Sequence, residues 1–99
     1  MLTTCSLRKT RRGDSVPLDD GTDGSAFSDS KKLRSVAVAL LIYSGATGNL
    51  NVVEPDGGTR IIDVSKWAQG VWHLVQIRQI KTTSTTATNS QIELGWARY

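Results

Sequence analysis

The 99-residue chain is poor in the residues that build chemistry. It has one cysteine, one histidine, one methionine and two prolines. Cys5 alone excludes a disulfide framework within the chain, and with His73 as its only imidazole the usual Cys/His zinc sites are excluded as well. Long apolar runs are missing too. The longest, residues 36–43, is eight residues, against the roughly 18 that a membrane-crossing helix needs. Residues 1–29 contain no apolar stretch of the kind a secretory signal requires. No phosphate-cradling loop, nucleophile elbow or dinucleotide fingerprint occurs. What remains is one small domain, 38 % apolar, whose composition suits a binding or structural part better than a catalyst.

Charge is present but uneven. The net charge is only +3. Arg8, Lys9, Arg11 and Arg12 fall within six residues, and Asp14, Asp19, Asp20, Asp23 and Asp29 follow. A leader with a basic and then an acidic half reads as an adhesive arm. Its four cations could also touch phosphates, with strongly salt-dependent affinity.

The chain changes character near residue 32. Residues 1–32 carry few large apolar side chains, broken up by Gly, Ser, Thr and Asp. That supply is too small to offset an ordering cost of roughly 1–2 kcal/mol per residue, so the segment is expected to be an extended arm ordered from outside. Arg8, Lys9, Arg11, Arg12 and Phe27 are its candidate partner contacts, and removing residues 1–32 should leave a folded remainder.

Residues 33–99 read as a β-domain of about five strands. Residues 36–43 (VAVALLIY) form a near-continuous apolar run, as in a strand covered on both faces. A two-glycine turn (SGATG, 44–48) follows. In residues 49–54, Leu50 and Val52 face one way and Asn49 and Asn51 the other. Pro55-Asp56-Gly57-Gly58 is a strong hairpin turn into a return strand at 59–64. Residues 65–70 are a connection or one helical turn. Residues 72–80 give the longest strand, with Val75 and Ile77 on one side and Gln76 and Arg78 on the other. Residues 81–90 (KTTSTTATNS) form an exposed loop, and residues 91–97 close the domain with Ile92, Leu94 and Trp96 on one face. The expected fold is a small antiparallel β-sandwich or partly open barrel. A core this small, lacking disulfide and metal, is expected to be completed by oligomerisation, which also covers sheet edges.

Candidate reactive groups do not converge. Asp14, Asp19, Asp20 and Asp23 lack the spacing of a calcium loop and read as an acidic linker. Cys5 and His73 are far apart, with nothing to orient them as a dyad. Glu54, Asp56, Asp63 and Glu93 are glycosidase acids in number only. No cofactor, metal or catalytic residue is expected. Trp96 reads as core. Trp67 and Trp72 flank a connection and, with Arg78, are candidate subunit-interface anchors, because Trp and Arg are the residue types such contacts favour. A sugar-stacking platform is the rival reading for the two tryptophans. Thr82, Thr83, Thr85 and Thr86 mark the exposed loop.

The order of these features has a family resemblance. Residues 28–30 (SDS) precede the apolar strand. SGATGNLNV (44–52), DGGT (56–59), Gly70, VQI (75–77), TTSTTAT (82–88) and IELGW (92–96) follow in turn. Together they resemble the small spike-base and capsid-decoration proteins of tailed-phage heads and gene transfer agents, over about 67 residues. The chain departs from that pattern at Leu74, where the family has Pro, at Gln76, where it has Arg, and at Asn49, where it has Asp. The resemblance implies a non-enzymatic virion structural subunit on the phage head surface, made in the host cytoplasm. It would form a cyclic homo-oligomer, a trimer or a pentamer, and bind the major capsid protein or adjacent virion subunits through its arm, with no membrane or nucleic-acid partner. The alternatives are a phage neck or tail fitting, a carbohydrate-binding adhesion module, or a nucleic-acid-binding β-barrel.

Overall fold

The computed structural model describes residues 6–9, 12, 16–18 and 23–98. Over these residues the protein is all-β. Its strands are β1 (Ser6–Lys9), β2 (Val16–Pro17), β3 (Asp23–Gly24), β4 (Ala37–Ile42), β5 (Asn49–Val53), β6 (Thr59–Asp63), β7 (Trp72–Ile77), β8 (Gln79–Lys81) and β9 (Ile92–Arg98), with a 3-10 turn over Asn89–Gln91. All the strand pairs are antiparallel. A four-stranded sheet runs β1-β9-β4-β7, a three-stranded sheet runs β6-β5-β8, and β2 and β3 pair by themselves.

Alternation explains how the two larger sheets make a sandwich. Period-two spacing puts Leu40 opposite Leu94 and Ile42 opposite Ile92 on the inner face of the first sheet. In the second sheet Leu50 stands opposite Ile62 and Val52 opposite Ile80. All eight are buried and, with Val64, Ile77 and Trp96, form one core. Each such side chain contributes about 1.5–3 kcal/mol by burial. The run read as covered on both faces is the interior strand β4, flanked by β9 and β7, with Ala37 and Ala39 also fully buried. The Trp96 indole donates to Ser35 O at 3.2 Å, so its polar atom is satisfied.

Two expectations change. The run 72–80 is not one strand. It bends at Arg78, whose N–H donates to Val53 O at 2.8 Å and whose carbonyl accepts from Leu33 N at 2.9 Å. Beyond that corner the chain leaves the first sheet and joins the second as β8. The leader is also no detached arm over its described residues. Its β1 pairs with β9 in register Ser6↔Arg98 to Lys9↔Gly95. Val16, Leu18 and Ala26 are buried in the same core as the sandwich, and Leu18 bridges Leu33. The sparse apolar residues of the leader are enough because they fill a core the other strands have already built.

Candidate functional site

The arm candidates separate by position. Arg8 and Lys9 lie on β1, opposite Trp96 and Gly95. Arg11 lies outside the described residues, as do Cys5 and the linker acids Asp14, Asp19 and Asp20. Arg12 is exposed, and its guanidinium sits 4.6 Å from the centroid of the Tyr43 ring while Nε donates to Ser90 O. Phe27 was expected to reach a partner. It packs instead against its own core and pairs with Ile80 as a parallel bridge, next to Ser28 N donating to Ile80 O at 2.8 Å.

Arg12 rests on a polar cluster that no sequence pattern announces. The Tyr43 hydroxyl donates to Oε1 of Glu93, a carboxylate that is only 6 % exposed. That bond first, then burial, then the charge of Glu93 push the phenol above its ordinary value of 10.0, while Arg12 pulls the other way. The cluster holds Arg12 beside Tyr43, just after β4, and Ser90, just before β9. Fifty residues separate Tyr43 from Glu93, so only the folded chain brings them together.

The interface candidates are also partly committed inward. Trp67 packs against the core, and its ring lies 5.0 Å from that of His73, tilted by 59°. His73 Nε2 is 2.7 Å from Ala68 O, which requires the proton on Nε2. Trp72 is half-buried at the start of β7, and Arg78 is half-buried at the corner. Among the large apolar side chains of the described residues Leu74 stands furthest out, 90 % exposed, ahead of Ile61 at 54 % and Val71 at 49 %. The alternation that puts Val75 and Ile77 inside predicts Leu74 outside. An apolar strand conceals that signal, because nothing in it distinguishes a covered outer face from a bare one.

Leu74 borders a concavity. Leu74, Val75 and Gln76 of β7 and Glu54, Pro55, Asp56 and Arg60 of the β5–β6 hairpin line a half-open hollow of about 380 Å³. A β-bulge opens it: Ala37 pairs with Ile77 and Ala39 with Leu74, so β7 carries an extra residue there. Arg60 Nη2 lies 3.5 Å from Glu54 Oε2, and Asp56 Oδ1 accepts from Gly58 N at 2.8 Å, the local bond that fixes the turn.

The Thr-rich loop is less free than expected. Thr82, Thr83 and Thr86 are exposed, but Thr85 is half-buried. Thr86 Oγ1 and Thr85 Oγ1 accept from Asn49 N and Asn51 N, each at 2.9 Å, and so continue the edge of β5 beyond the end of β8. On the other side, Asp29 accepts from Thr83 N at 2.9 Å and from Thr83 Oγ1 at 2.7 Å. The bonds from Thr83, then from Thr82, lower the Asp29 carboxyl from its ordinary 3.8 to about 2. Gly48 makes the docking possible. Its φ is +100°, and a Cβ there would meet Thr86 Oγ1 at 2.7 Å and Ala87 N at 2.8 Å.

Among the described residues no three His, Cys, Asp or Glu side chains gather as metal ligands, and every buried side-chain nitrogen and oxygen has a partner. Nor is any helix there long and apolar enough to cross a membrane. No protein-family model, curated protein or solved structure matches the chain.

Proposed function

We propose that this protein is a non-enzymatic structural subunit of a virion. In this reading it is a capsid-decoration or head spike-base protein that works as a cyclic homo-oligomer on the phage head. The observation that carries it is the outer edge of β7, with which no described residue pairs. Leu74 is 90 % exposed on a terminal strand that has no Lys, Arg, Asp or Glu. Natural sheets protect such edges with charge, or cover them. The ordered motifs from SGATGNLNV to IELGW support the virion assignment through their family resemblance.

The division of labour follows. The β-sandwich supplies the subunit contacts, and the basic run Arg8, Lys9, Arg11 and Arg12 meets acidic surface on a neighbouring virion subunit or the major capsid protein. The test is the mass of the full chain in solution at two concentrations and two salt levels. A discrete trimer or pentamer that persists in high salt is expected, because an apolar contact is not screened. A stable monomer under all four conditions overturns the reading.

A further inference from the structure

We infer that the β7 edge receives the β1 edge of a second copy, head to tail, so that the four-stranded sheet continues from one subunit into the next. This rests on the cyclic homo-oligomer reading and names the two surfaces that would close the ring.

The sheet order β1-β9-β4-β7 has two unlike ends. One end is basic by sequence, with Arg8 and Lys9 on β1 and Arg11 and Arg12 just after it. The other end, β7, has no Lys, Arg, Asp or Glu; it is followed by Arg78 and flanked by the turn bearing Glu54 and Asp56, with Arg60 paired to Glu54. Unlike ends that complement each other favour a heterologous contact, which closes into a ring when the rotation allows, over a two-fold contact of like with like. A partner built on a different chain would need the same basic strand; every copy of this chain already carries it.

The receiving surface has two parts. Trp72, His73 and Leu74 pair regularly with β4, and no described residue pairs with their outward edge. Beyond Leu74 the bulge breaks the regular edge, and the 380 Å³ concavity takes over. Its wall of Leu74, Val75 and Pro55 suits an aliphatic stem, and Glu54 and Asp56 suit a cationic head. A Lys or Arg side chain has both parts. Glu54 already meets Arg60 and Asp56 already caps its turn, yet a carboxylate has about four acceptor sites, so each retains capacity for an incoming cation. Burial of Leu74 would supply most of the affinity, and the charges would set direction and partner choice.

The experiment compares the full chain with L74K, R8E/K9E and E54K/D56K by sedimentation, with circular dichroism and melting as folding controls. Leu74 is exposed, so L74K should fold like the parent while its assembly weakens about 30-fold or more. R8E/K9E and E54K/D56K should each assemble poorly alone and associate with each other when combined, since each then presents the charge the other lacks; the alternating contacts give mixed dimers and short open chains, because an odd-numbered ring cannot alternate. If L74K and R8E/K9E both retain the parent oligomer, the inference is wrong and the cyclic reading stands. If L74K is monomeric but R8E/K9E assembles normally, the contact is not head to tail through β1, and the inference is again overturned. If the parent chain is itself a monomer, the cyclic reading fails and takes this inference with it.

Discussion

Strands β7 and β8 are two halves of one run of chain, separated by Arg78 alone, and their outer edges are treated in opposite ways. The edge of β8 is covered. Phe27 bridges Ile80, Ser28 N donates to Ile80 O, and the buried Gln79 reaches Ser28 O with its amide at 2.7 Å. No described residue pairs with the outer edge of β7, where Leu74 projects into solvent. β7 (WHLVQI) is mostly apolar and β8 (QIK) mostly polar, so the more apolar of the two is the one left uncovered and composition does not account for the difference. The leader does, because the corner at Arg78 turns β8 toward residues 25–33 while β7 stays at the far end of the other sheet. A sheet edge is therefore a matter of what the rest of the chain can reach.

The largest way to break this comparison is to remove the cover. Deleting residues 1–32 takes Val16, Leu18, Ala26 and Phe27 from the core, and the first two alone are worth about 1.5–3 kcal/mol each. Against a typical total of about 5–15 kcal/mol, a small domain should then fail to give a cooperative melt. That outcome is the opposite of the folded remainder expected from the sequence when residues 1–32 are removed. Ile80→Ala acts on the covered strand itself. Ile80 is fully buried between Val52 and the leader, and its truncation should cost about 2–5 kcal/mol by urea unfolding.

Gly48→Ala should come next, costing about 1–3 kcal/mol in strain. It should also speed proteolysis between residues 82 and 88, because the new methyl group pushes Thr86 off β5. Gly45→Ala is the control. Its φ of +85° is also strained, but nothing lies within 4 Å, so the loop should stay protected.

A smaller effect is pH-dependent. The Asp29 carboxyl is lowered in the folded protein, so its contribution is fully present above about 3.8 and is lost as pH falls toward about 2. Melting between pH 5 and 2 should show a shallower decline for Asp29→Asn than for the parent. Part of the slope should remain, because the Ser65 hydroxyl holds Asp63 low in the same direction. The smallest effect on stability is expected at the open edge: Leu74→Lys should leave urea unfolding of the single subunit within about 0.5 kcal/mol of the parent.

Much of the fold was legible because its signals are local. Leu50 and Val52 are buried where alternation put them, and the Pro55–Gly58 turn forms where Gly57 takes φ of +92°. Ile92, Leu94 and Trp96 share the inner face as their spacing requires. The candidate surface was harder to read. Arg78 breaks a strand that is regular in sequence, and Thr85 and Thr86 are tied to β5 by hydroxyls that look like ordinary loop residues. Trp67 and Phe27 resemble interface anchors but serve the core.

The sequence by itself determined the all-β class, the turns and the faces of most strands, because φ restrictions and period-two burial act over a few residues. Tertiary structure alone decided that the leader fills the core, that Tyr43 reaches Glu93 and that the acidic turn leans beside Leu74. Those contacts join positions tens of residues apart, and which edge is covered depends on the path of the whole chain.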